Sequence, residues 1–180
     1  AVGALLNTLE FAKANFANEV ERNQLVTVVC QATQEAHLGT RVCAFECVVR
    51  VSSLFYEHLE PYMQTFFDLT FKTIKDDAQE VALQAVEFWS SICEEEADIM
   101  AEVEEAQEEQ RQPERTCRNY VKAALGYLIK LLTEHCLVKQ DEEQDDDSWN
   151  LSMAGGACRD LVASVARDDI VKEIMPFVQT

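Results

Sequence analysis

RVCAFECVVRVSS (41–53) and EVALQAVEFWSS (80–91) are two versions of one pattern. Each carries a Val near its start, small residues, an apolar stripe at helical spacing and a Ser-Ser pair, and they are offset by 38–39 residues. A third version, WNLSMAGGACRDLVAS (149–164), follows after a longer gap. Each copy comes after another apolar helix pattern, and two such helices are marked by Pro61 and Pro176. A period of about forty residues with two helices per period is the signature of HEAT and armadillo arrays, in which each unit buries its apolar side against its neighbours. The small residues Ala44, Ala85, Gly155, Gly156 and Ala157 would let stacked helices approach closely. The repeat predicts an all-α, HEAT-repeat, right-handed α-solenoid of stacked antiparallel helix pairs.

Working outward, helical periodicity runs through most of the chain. Leu25, Val28, Val29 and Ala32 form one stripe, and Ala44, Val48, Val51 and Phe55 the next. Met63, Phe66, Phe67, Thr70 and Ile74 follow, then Val81, Ala85, Phe88 and Ile92, then Val121, Ala124, Leu125, Leu128, Leu132 and His135. The breaks near 17–18, 35–39, 57–60 and 76–79 are short and polar, which implies antiparallel neighbours. Two breaks are longer: 105–114, with Pro113, and 139–148. The predicted units are 1–17 (the second helix of a repeat), 18–57, 58–104, 114–167 with an acidic loop at 139–148, and 168–180 (the first helix of the next). The opening AVGALLNTLEFAKANF has neither a basic leader nor a continuous apolar block, so it reads as a helix entered partway rather than as a signal peptide. No apolar stretch reaches the ~20 residues of a membrane span, so no membrane partner is expected.

The 180 residues carry a net charge of −18, which argues against nucleic acid, because phosphate binding needs clustered Lys and Arg, and favours a basic partner. The charge is uneven. Nine carboxylates fall between Glu94 and Glu109 and six between Asp141 and Asp147, together 15 of the 33 acidic residues. The first group reads as an exposed helical extension. The second, DEEQDDDSW (141–149), reads either as a solvated loop or as an electrostatic docking loop with Trp149 as an anchor at its base. The seven cysteines are scattered among apolar residues without a CxxC pair, as buried reduced thiols would be. Cys43 and Cys47 are four apart on one helix face, but no further ligand lies nearby in sequence, so no metal is expected.

Nothing in the chain carries chemistry. GxSxG, HExxH and phosphate-loop patterns are absent, and His37, His58 and His135 fall in connections or on an apolar stripe. Neither an enzyme nor a cofactor is expected. Outside the core stripes, Glu21 and Leu25 are four apart on one helix, and Tyr62 and Leu69 seven apart on the equivalent helix of the next unit. A groove between two such helices could take an aromatic side chain, although spacing alone leaves Leu69 as ordinary packing.

The segments ALLNTLEFAKANF, VVCQATQ, EVALQAVEFWSSICEEE, KQDEEQDDDSWN and DDIVKEIMPFV resemble the importin-β family of nuclear-import karyopherins, and the resemblance covers almost the whole chain. The combination is specific, since an acidic run ending in Trp-Asn between such helices is not a generic HEAT feature. The resemblance implies a position in the amino-terminal half, from the second helix of about the fifth repeat to the first helix of the ninth. It implies a receptor that binds phenylalanine-glycine nucleoporin repeats on its first helices, carries importin-α or basic cargo signals, and releases its cargo when Ran-GTP binds. The implied residency is cytoplasm and nucleus, at the nuclear-envelope pore. Its nucleoporin pockets carry over to Glu21, Leu25, Tyr62 and Leu69, with half of an earlier pocket falling before residue 1. The Ran-contacting loop carries over to Asp141, Glu142, Glu143, Asp145, Asp146 and Asp147, and the importin-α contact to Trp149. One departure stands out: Gln24 occupies a place where well-known relatives have Phe, which should weaken or reshape the pocket around Leu25 while leaving that of Leu25, Tyr62 and Leu69 more intact. The competing expectation is a HEAT scaffold subunit of another assembly, such as a phosphatase or vesicle coat.

Overall fold

In a computed structural model, residues 2–136 and 150–170 are described. They contain eight α-helices and no strand. The helices are α1 (Val2–Thr8), α2 (Lys13–Ala17), α3 (Glu19–Ala32), α4 (Leu38–Leu54), α5 (Met63–Asp76), α6 (Gln79–Glu108), α7 (Tyr120–Leu131) and α8 (Leu151–Ala166). The expected all-α class of paired HEAT-type helices is borne out, and the three copies of the repeat fall on α4, α6 and α8. The chain divides into two compact units between Phe88 and Trp89, inside α6.

Residues 1–88 are built on aromatic packing. The first helical stretch is not continuous: a 3-10 turn at Leu9–Phe11 separates α1 from α2 and drives Leu9 into the core. Phe16 of α2 stacks on Phe55, ring centroids 3.8 Å apart and nearly parallel. Phe66 of α5 meets Phe88 edge-on at 5.6 Å. The predicted stripe of α4 is buried throughout, and Phe45 and Cys47 join it. On α3 the buried row is Val26, Val29 and Ala32, whereas Val28 is 52% exposed. The α3 stripe therefore lies one residue away from its expected start at Leu25.

Two helices of this unit, α3 and α4, are started by a side chain that accepts from their orphan N–H groups. Asn18 caps α3, its Oδ1 accepting from the Val20 and Glu21 N–H groups at 3.0 and 3.4 Å. His37 caps α4, its Nδ1 accepting from the Thr40 N–H at 3.3 Å. Asp77 occupies the two-residue break between α5 and α6 and accepts from the Ala78 N–H at 2.7 Å. It also receives Arg41 of α4 bidentately, Nε at 3.0 Å and Nη2 at 2.8 Å. Burial works against the Asp77 carboxylate, but the Arg41 and Ala78 hydrogen bonds outweigh it and hold the group below its ordinary range.

Residues 89–170 bury Trp89, Ile92, Cys93 and Ile99 of α6, Val121, Leu128 and Leu132 from α7 onward, and Cys158, Val162 and Val165 of α8. The last turn beyond α7, Leu132–Cys136, widens into a π-turn. Gly155 permits α8 to approach it: a Cβ there would lie 2.4 Å from the Cys136 Cβ. Gly156 faces open space, so only the first glycine of the pair serves close packing.

Candidate functional site

Two clefts lie along α3. The first, about 500 Å³, opens between the α1–α2 stretch and α3. Leu5, Thr8, Phe11 and Ala12 form one wall, and Glu21, Gln24, Leu25 and Val28 the other. Phe11 is 82% exposed at its rim, an outward aromatic that the 3-10 turn creates by breaking the helical register. Glu21 is held rigidly: its carboxylate accepts from Asn15 Nδ2 at 2.6 Å and from Asn18 Nδ2 at 3.3 Å. The spacing Asn18-x-x-Glu21 is that of a capping box, but the carboxylate holds the Asn18 side-chain amide, the Asn18 N–H going to the Asn15 carbonyl, and the same carboxylate faces the cleft.

The second cleft, about 630 Å³, lies between α3 and the start of α5. Val26, Cys30, Thr65 and Tyr62 provide its apolar part, and Asn23, Gln31, Gln34 and Glu35 its polar rim. Tyr62 does not belong to α5; it ends the 3-10 turn Glu60–Tyr62 just before it. Its hydroxyl accepts from Arg22 Nε at 3.2 Å and donates to Asn23 Oδ1. Burial pushes the Cys30 thiol up to about 11, which keeps it protonated and unreactive at neutral pH.

The four predicted pocket residues thus divide. Glu21 and Leu25 share the first cleft, and Tyr62 walls the second. Leu69 is half-buried on α5 and lines neither of the two. Gln24 lines the first cleft, so the departure from the family pattern falls on the cleft that holds Leu25. Arg22, Asn23 and Phe11 were not singled out by sequence reasoning. Arg22 and Asn23 meet Tyr62 across about forty residues, and no local pattern announces such a contact.

The acidic stretch 94–109 is the second half of α6, and much of it is spoken for. Glu102 accepts from the N–H groups of Glu114 and Arg115 at 2.8 and 3.2 Å and from Arg115 Nε at 2.8 Å. Arg115 also pairs with Glu95 at 3.4 Å, and Arg111 with Glu105 and Glu109 at 3.1 and 2.7 Å. Fully buried Glu96 accepts from the Tyr120 and Val121 N–H groups at 2.5 and 3.3 Å. These are the first N–H groups of α7, whose own cap residue, Asn119, is left-handed and makes no side-chain cap. The stretch is therefore a clasp for the connection 109–119 as well as an exposed helix face.

The acidic loop Asp141, Glu142, Glu143, Asp145, Asp146 and Asp147, with Trp149, lies outside the described residues. Among the described residues no group of three or more His, Cys, Asp or Glu side chains could hold a metal ion, and no helix is long and apolar enough to cross a membrane.

No family model matches the chain. It is 46% identical over 99% of its length to importin subunit beta-1 of Arabidopsis thaliana, and 41% identical over 99% to that of Schizosaccharomyces pombe. It spans about a fifth of the length of these relatives. Among solved structures it resembles Kap95p bound to RanGDP, whose switch loops adopt the GTP-bound conformation on Kap95p binding (TM-score 0.90, 36% identity). It also resembles Kap95 in a Kap95:Nup1 complex (TM-score 0.84, 37% identity). Each match covers 99% of this chain and 20% of the solved one.

Proposed function

We propose, from the premise that this chain belongs with the importin-β homologues, that it is a segment of a nuclear transport receptor docking phenylalanine-glycine repeats along α3. The carrying observation is the first cleft: an apolar trough rimmed by exposed Phe11 and the half-buried Leu25, with a rigid carboxylate, Glu21, at its edge. A Phe side chain fills such a trough, and the carboxylate meets the peptide N–H groups beside it. The Kap95:Nup1 complex supports the reading, since its Kap95 shares this chain's fold. Tyr62 and Leu69 would serve a second aromatic side chain on the α5 side.

The remaining assignments follow the same premise. Asp141, Glu142, Glu143, Asp145, Asp146 and Asp147 would contact basic residues of Ran-GTP, and Trp149 would hold the basic segment of an importin-α adaptor or cargo signal. The Kap95p structure with RanGDP supports the Ran assignment. The helix pairs α3–α4, α5–α6 and α7–α8 would be the repeating units, near 18–57, 58–104 and 114–167, with α6 running on to Glu108. The receptor would work in cytoplasm and nucleus and at the nuclear-envelope pore. The chain is not an enzyme: the relatives and solved structures bear the importin and Kap95 names.

Titration of an FxFG peptide against the chain, Leu25→Asp, and Leu25→Asp with Leu69→Asp tests this. The expected result is at least about a tenfold loss for Leu25→Asp, the cost of putting a charge into an apolar contact. Equal affinity in all three proteins removes the pocket.

A further inference from the structure

We infer that Arg22 and Asn23 are positioning residues for Tyr62, holding its ring in place as a wall of the cleft between α3 and α5. The inference deepens the docking reading and rests on it only for the ligand. Tyr62 needs such support. It stands at the end of a 3-10 turn, makes no side-chain cap for α5, and has Phe66 as a ring neighbour only at 6.4 Å and tilted by 43°. Ring packing of that kind leaves a half-exposed tyrosine several rotamers.

The hydroxyl removes that freedom. It accepts from Arg22 Nε at 3.2 Å and donates to Asn23 Oδ1, two successive residues on the facing helix. Arg22 is itself anchored, because its Nη1 donates to the Phe16 carbonyl at 2.6 Å, and the Phe16 ring is stacked on Phe55 at 3.8 Å. A rigid, aromatic-stacked backbone thus reaches the phenol through one planar guanidinium, whose fork of donors suits two acceptors at once. With its donor and one acceptor position engaged, the phenol offers a ligand its ring more than its hydroxyl. Beside that ring stand Val26 and Cys30, and beyond them the side-chain amides of Gln31 and Gln34. The occupant that fits is an aromatic side chain in an extended peptide, its ring against Tyr62 and its backbone polar groups toward the amides. A wall set before binding spares the ordering cost that a mobile ring would add.

The test is a double-mutant cycle of the chain, Arg22→Gln, Tyr62→Phe and both together, read in two ways. In FxFG titration Arg22→Gln, which takes one hydrogen bond from the phenol, is expected to weaken binding about fivefold, and Tyr62→Phe, which loses both, at least as much, with the double change no worse than Tyr62→Phe. In NMR spectra the nuclear Overhauser contacts between the Tyr62 ring and the Asn23 side chain are expected to lose intensity in Arg22→Gln, where one of the two hydrogen bonds remains, and more so in Tyr62→Phe, where neither does. Additive losses, wild-type affinity in Tyr62→Phe, or ring contacts of undiminished intensity in both single variants overturn the inference. Tyr62→Phe keeps the ring and spares the core, so it stays informative if Arg22→Gln folds poorly. If the unmodified chain binds no FxFG peptide, the docking reading falls, and the ring contacts alone decide the positioning.

Discussion

Residues 1–88 and residues 89–170 solve one problem, joining antiparallel helices, in different ways. In the first unit the joints before α3 and α4 are closed by a cap at the joint itself, Asn18 and His37, and the two-residue joint before α6 by Asp77, which accepts from the Ala78 N–H and holds Arg41. In the second, an eleven-residue connection, 109–119, is held by glutamates from the preceding helix, and α7 borrows its cap from Glu96. Aromatic stacking secures the first unit, and close backbone approach at Gly155 and carboxylate pairing the second. A short joint needs one residue to close it, as Asp77 does with Arg41, whereas a long one must be tied down along its length or cost entropy.

The largest effect should come from the stacked pair. Phe16→Ala is expected to cost about 4 kcal/mol in urea denaturation, since the ring is fully buried and the cavity has little room to collapse. A cost below about 1 kcal/mol would mean the aromatic core does not carry the first unit. Next come the two kinds of cap. Glu96→Ala leaves two buried N–H groups of α7 without their acceptor and should cost about 2–3 kcal/mol. Asn18→Ala, at an exposed helix start, should cost about 1 kcal/mol. Reversal of that order, by the same measurement, breaks the distinction between a local and a borrowed cap. The glycines sharpen it further. Gly155→Ala forces a Cβ into Cys136 and should cost about 2 kcal/mol. Gly156→Ala meets nothing and should gain up to about 1 kcal/mol from helix propensity.

Much of this architecture was legible in the sequence. The repeat between 41–53 and 80–91 marks second helices because burial on both flanks imposes the same small-and-apolar spacing on each copy. The core rows of α4 and α6 follow from it, and that of α7 from its own helical periodicity. What could not be read depends on contacts distant in sequence or on broken register. The 3-10 turn at Leu9–Phe11 exposes Phe11 within an otherwise ordinary helical pattern. Glu96 looks like any other acid in EEEADIM, and only the fold shows it buried under the start of α7. In the candidate site, spacing and family resemblance named Glu21, Leu25 and Tyr62, but pairing Leu25 with Tyr62 required knowing which side of α3 each faces. The row displaced by one residue, with Val26 rather than Leu25 buried, turns Leu25 toward the first cleft instead.

The smallest effect, and one that separates the neutral cap of α3 from the glutamate clasp of 109–119, is the response to acid. Glu102 is held below its ordinary value of 4.5 by the Arg115 side chain and the Glu114 and Arg115 N–H groups. A depressed carboxylate contributes stability that is present above 4.5 and is lost as pH falls through the lower, folded value. Glu95, by contrast, is raised by burial, only partly offset by Arg115, so protonating it relieves the fold as pH falls. The two oppose each other in the clasp, and the net change in global stability should be small. The local change should not be. Amide exchange at Glu114 and Arg115 should accelerate as Glu102 is protonated, because the acceptor that holds those N–H groups loses its charge. The Val20 and Glu21 amides, capped by the neutral Asn18 side chain, should show no such step over the same range. Parallel acceleration at both places would show that the connection 109–119 is retained by packing and not by its glutamates.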